Sequence, residues 1–127
     1  MGYQDGAGVL RFGDAAIPLE IAASYRARTR GLLGRDGVEG ALLLTPAAGV
    51  HTFRMRFPID VAHLDRRLRV IAVTTMPPNR LGLLRPRARH VLEAEAGAMA
   101  RWGLRPGATV TLERYNTPRS SLSDLAG

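Results

Sequence analysis

The chain has 127 residues, 18 basic side chains against 11 acidic ones, and a net charge of +7. Every basic side chain is arginine and no cysteine is present, which excludes Schiff-base lysines, thiolate nucleophiles, disulfides and cysteine-ligated zinc. A chain of this length buries one core without staples, and no stretch reaches the roughly 18 apolar residues that a membrane span needs.

Residues 1 to 6 are polar and Gly-rich, and the single expected domain runs from 7 to 114. Val9 to Phe12 and Ile17 to Ile21 read as two short strands turned by Gly13-Asp14. Ser24 is placed to cap a helix that runs to about Leu33, with Gly34 as its stop and Tyr25, Leu32 and Leu33 on its apolar stripe. Gly40 to Thr45 is a short apolar run, as a strand buried on both faces would be.

From 51 to 57, His51, Phe53, Met55 and Phe57 alternate with Thr52, Arg54 and Arg56. That period of two predicts a half-buried strand with Phe53 in the core, ended by Pro58, which cannot donate to a ladder. Ile59 to Leu64 and Leu68 to Met76 predict two further strands around the polar turn Asp65-Arg66-Arg67. Residues 77 to 89 form a long irregular segment carrying three prolines and four arginines, and loops of that length are often functional. A short strand at His90 to Leu92, one or two helical turns from Ala96 to Trp102 and a last strand from Val110 complete the domain. Residues 115–127 are Ser-, Asn- and Pro-containing and are expected to be disordered.

Four ordered motifs carry a resemblance. Arg28 to Arg35 (RTRGLLGR), His51 to Val61 (HTFRMRFPIDV), Ala88 to Gly97 (ARHVLEAEAG) and Gly103 to Gly107 (GLRPG) resemble the signature of the DUF192 (UPF0127) family of uncharacterised proteins. The resemblance implies a compact β-rich fold. The run of strands with short connections agrees, and predicts an α+β class: a mostly antiparallel, barrel-like sheet with one longer and one short helix. Matches to the family's motifs single out Arg28 and Arg35. His63 stands where the family has an apolar or aromatic residue, and Ala108 where it has an acid.

The candidate chemistry gathers near Pro58. An anionic small molecule or an acidic partner segment is the expected ligand, held by Arg54, Arg56 and the 80–89 loop around His51, with Arg28 and Arg35 as further ligand-binding candidates, because the guanidinium fork suits carboxylates. The alternative is a small enzyme with His51 and Asp60 as acid and base and Arg56 as anion clamp. The structural reading of the same residues is an Arg56–Asp60 ion pair. The three histidines lack metal-ligand spacing and Ser24 is in no nucleophile elbow, so neither a metal nor a cofactor is expected. The arginines are scattered from Arg11 to Arg119 without a nucleic-acid motif, so nucleic acid is not expected either. No basic-then-apolar leader opens the sequence; a cytoplasmic location is expected, or export where a leader has been removed.

Overall fold

The computed structural model describes residues 3–115, so the tail expected beyond Tyr115 lies outside the described residues. The elements follow as β1 (Gly6–Phe12), β2 (Ala15–Ala22), α1 (Tyr25–Arg30), β3 (Ala41–Leu44), β4 (Ile59–Leu64), β5 (Val70–Met76), β6 (His90–Glu95), α2 (Ala98–Trp102) and β7 (Thr111–Arg114). All seven strands form one sheet in the order β5-β4-β6-β3-β2-β1-β7. Its pairings are antiparallel except β2 with β3, whose connection carries α1. The fold is α+β, as expected.

The sheet curls until its edges touch at one place. The Val70 amide donates to Ala108 O at 2.7 Å, Gly107 to Val70 O at 2.8 Å and Val110 to Leu68 O at 3.0 Å. These bonds tie the start of β5 to the segment that enters β7, without a continuous ladder between the two strands.

The curl gives each face its own core. Leu10, Leu19, Leu43, Leu64 and Leu92 point inward, together with Met99 of α2. Leu42, Leu44, Ile59, Val61 and Val91 point outward and are covered by Leu32, Met55 and Met76. Strands β3 and β4 are therefore buried along their whole length, which is why Gly40 to Thr45 reads as an unbroken apolar run.

Register fixes the two ends of the curl. Gly6 pairs with Ile21, Ala22 with Leu44, Leu44 with Val91 and Leu64 with His90, so these residues ring one mouth. Asp60 and Ala94 pair at the opposite end, where α2 lies against the sheet.

Two expectations need correction. Residues 51–57 are not a strand: only His51 makes a bridge, to Leu81. The buried Thr52 hydroxyl donates to Pro77 O at 2.6 Å and accepts from the Arg80 amide at 2.9 Å, and Arg54 takes φ 64°. A side chain that bonds neighbouring backbone competes with a ladder. Phe53 consequently lies at the surface, 46% exposed and stacked on His51, rather than in the core. The first helix is also shorter than expected. Ser24 Oγ accepts the Ala27 amide at 3.1 Å as predicted, but Gly31 at φ 46° ends α1 early, and Tyr25 at its start is exposed rather than on an apolar stripe.

Two glycines with positive φ test the packing. Gly13 (φ +57°) faces open space, whereas a Cβ on Gly40 (φ +72°) would strike the Pro18 carbonyl. Gly13→Ala should cost roughly 1 kcal/mol of backbone strain, and Gly40→Ala clearly more because the clash adds to it. Urea unfolding of the two variants measures the difference.

Candidate functional site

Asp60 is buried and fully committed. Its Oδ2 accepts the amides of Gly97 at 2.9 Å and Met99 at 3.1 Å, and its Oδ1 accepts the Thr75 hydroxyl at 2.7 Å. The carboxylate thus binds the first turn of α2 to the inner face of β4. Neither the expected Arg56–Asp60 pair nor an Asp60–His51 dyad forms. Arg56 reaches Asp36 at 2.9 Å in an exposed ion pair. His51 accepts the Phe53 amide through Nδ1 at 3.3 Å.

The side chains of two other arginine candidates have identifiable partners. Arg28 donates to Ala23 O at 3.2 Å and Pro46 O at 3.0 Å, pinning α1 to the loop after β3. Arg35 meets Glu20 at 2.8 Å. Arg54 is exposed, and its amide is held by Asn79 Oδ1 at 3.0 Å. Exposed pairs of this kind contribute about 0–1 kcal/mol.

The open mouth of the curl holds a different constellation. A cavity of about 1190 Å³ is lined by Arg66 from the β4–β5 turn, Arg89 and His90 at the start of β6, Arg114 of β7, and Tyr3 and Thr45. His90 Nδ1 and Thr45 Oγ1 are 2.8 Å apart, and Tyr3 meets the imidazole edge-on at 5.7 Å. The Arg114 guanidinium sits 5.2 Å from the Tyr3 ring centre. A neighbouring hollow shares Arg66 and Arg89 and adds Arg67 and Arg87.

Asp5 lines this mouth and Asp65 the neighbouring hollow, and each is anchored by backbone amides. Asp5 accepts the amides of Ala23 at 2.6 Å and Ser24 at 2.7 Å, and its hydrogen bonds with Ser24, then Ala23, hold its carboxyl below the usual range. Asp65 accepts the amides of Arg67 at 2.8 Å and Arg69 at 3.0 Å. Among the described residues, Arg66, Arg89 and Arg114 make no ion pair. Burial pushes the His90 imidazole below its ordinary value; Asp65 opposes the shift and Arg89 reinforces it. With Nδ1 bonded to Thr45, a neutral His90 has Nε2 left as a donor or an acceptor, according to its tautomer.

The sequence gives no local sign of this grouping, because Arg66, Arg89 and Arg114 are distant in the chain and only strand register unites them. A second residue was legible and missed. Glu93 interrupts the apolar run Val91-Leu92-Glu93-Ala94, and in the fold it is buried on the outer face of β6. Burial raises its carboxyl to about 7 against the pull of Arg35. Gly31 lies over it: a Cβ there would stand 3.7 Å from Glu93 Oε1.

The comparisons with known proteins agree on the family. The profile of DUF192, described as "Uncharacterized ACR", matches residues 9–112. A UPF0127 protein of Pyrococcus horikoshii is 33% identical over 84 residues, covering 62% of this chain and 73% of its own. A crystal structure of a protein of unknown function from Novosphingobium aromaticivorans superposes with a TM-score of 0.70 at 21% identity, covering 83% of each chain. A second, titled a putative transcription regulator, from Sinorhizobium meliloti, gives a TM-score of 0.73 at 18% identity over 87% of this chain and 96% of its own. At those identities the two structures speak for the fold alone.

Asp60→Ala should destabilise the domain by about 3 kcal/mol or more, because it strands two amides and a hydroxyl in the interior. Thermal unfolding reads the loss, and hydrogen exchange at Gly97 and Met99 should show it locally. Glu93 gives a pH signature. Its folded pKa is raised, so its ionisation progressively lowers stability as pH rises from its ordinary 4.5 towards about 7. Glu93→Gln should match the parent near the bottom of that window and exceed it by roughly 3 kcal/mol above the top. Urea unfolding across pH measures the difference curve.

Proposed function

The chain belongs to the DUF192 family, and we propose that this member is a binding protein for an anionic small molecule or a short acidic segment, received in the arginine-lined mouth. The observation that carries the reading is the convergence of Arg66, Arg89 and Arg114 on one cavity whose nearby carboxylates are already occupied by backbone amides. An anion bound among these three guanidinium groups would offset the repulsion between them. Charge-assisted bonds from arginine to carboxylate or phosphate are among the stronger polar contacts. Barrel mouths are common ligand sites, and this one is polar enough to select for charge.

A binding role fits better than catalysis with the residues first suspected. The His51, Asp60 and Arg56 set is dispersed among unrelated partners, and the buried Asp60 already binds two amides and a hydroxyl. The basic balance of the chain finds a local use at the mouth without requiring nucleic acid.

Thermal-shift titration with phosphate, citrate and a tetra-aspartate peptide tests the proposal. A ligand at about a hundredfold its Kd should stabilise the protein by roughly 2.7 kcal/mol. Arg66→Gln/Arg114→Gln should fold normally, since both side chains are exposed, and lose that stabilisation. Equal stabilisation of parent and variant by every anion, or none in either, would refute the cavity as the site.

A further inference from the structure

The ribbon on the outer face carries a second surface. Residues 46–58 leave the mouth and run to the start of β4, and residues 77–89 return from the end of β5 to the mouth. The two segments bond to each other: Ala47 N to Arg89 O at 2.9 Å, Gly82 N to Val50 O at 2.8 Å, Thr52 N to Arg80 O at 2.8 Å and Asn79 N to Thr52 O at 2.7 Å. Met55 and Val50 turn down onto the outer core. Leu81, Leu83 and Leu84 are 76%, 74% and 72% exposed, and Phe53, stacked on the His51 ring beside the His51–Leu81 bridge, is 46% exposed. Three exposed leucines within four residues concentrate apolar surface in the way that interaction sites do.

The charge around the patch has one sign. The two segments contain Arg54, Arg56, Arg80, Arg85, Arg87 and Arg89 and no carboxylate. Of these, Arg56 is paired, with Asp36 from outside the ribbon. Arg80 immediately before the leucines and Arg87 after them are exposed, whereas Arg85 has its Nε buried.

We propose that the ribbon is a peripheral docking surface for an anionic lipid bilayer, with Leu81, Leu83 and Leu84 entering the headgroup–acyl boundary and the flanking arginines meeting lipid phosphates. The leucines stand out from the ribbon instead of lining a groove, so a bilayer receives them without a complementary pocket. Apolar insertion and attraction to anionic headgroups are the two components of interfacial binding, and basic side chains beside an apolar tip supply both.

Co-sedimentation of the full chain with vesicles tests this. The vesicles are phosphatidylcholine alone and phosphatidylcholine mixed with an equal share of phosphatidylglycerol. The protein should pellet with the mixed vesicles and stay in solution with the neutral ones. Leu83→Ser/Leu84→Ser should weaken binding at least about tenfold, because it withdraws two apolar side chains from the interface, with circular dichroism unchanged. Arg80→Gln/Arg87→Gln should weaken it too, more at low salt than at high. Absence of binding to the mixed vesicles overturns the proposal, and leucine-dependent capture of an acidic protein in their place would assign the patch to a protein partner. Binding that ignores the leucine substitutions also overturns it, since net charge alone would then account for adsorption.

Discussion

The Asp60 carboxylate is the constraint on which the arrangement depends. A curled seven-stranded sheet has two ends, and water must be kept from the inner core at one of them at least. Here Met99 and Ala98 of α2 do this at the end where β4 begins. A helix of five residues has too few internal hydrogen bonds to hold itself, and Gly97 before it supplies no side-chain cap. Asp60 takes that role from across the sheet, and Thr75 on β5 fixes its other oxygen. Removing a buried charged acceptor leaves several donors unsatisfied at once, so the helix, the inner core and the β4–β5 pairing share one anchor.

What could be read from the chain followed the strength of the local patterns. The apolar runs at Ala41 to Leu44 and Ile59 to Leu64 announce strands buried on both faces, and Ser24 announces its helix through cap chemistry. The segment at 51–57 misleads because its period-two pattern has two sources. Met55 alternates inward because the ribbon rests on the outer core, but Thr52 is as buried as any core residue and its hydroxyl serves the 77–80 backbone. Alternation reports which side chains face a sheet. It does not report that the backbone pairs with one.

The site was less legible than the fold for a geometric reason. Sequence motifs drew attention to arginines beside glycine and proline, and those arginines largely serve the scaffold: Arg28 ties α1 to Pro46, and Arg35 balances Glu20 near the buried Glu93. The mouth draws its arginines from three strand ends that register, not proximity in sequence, brings together. Only Glu93 had a local signal, as a lone carboxyl in an apolar run. Its burial under Gly31 makes the glycine of the Arg28–Arg35 motif intelligible, since φ 46° suits no other residue well and a side chain there would lean towards the carboxyl.

The two proposed surfaces are both cationic, and topology brings them together. The plugged end is built from backbone amides meeting one carboxylate, and its Arg101 lies 3.8 Å from Glu95. The mouth and the ribbon are joined at Arg87 and Arg89, where the returning segment reaches β6. A ligand in the mouth and a bilayer on the ribbon would therefore lie along one continuous cationic face. If both are engaged, the strand that begins at His90 connects them mechanically. Its backbone is fixed to β3 and β4 throughout, so the two sites would sense each other through charge sooner than through movement. Over such distances that coupling would fade with salt, as interactions between exposed charges do beyond about 10 Å at moderate ionic strength.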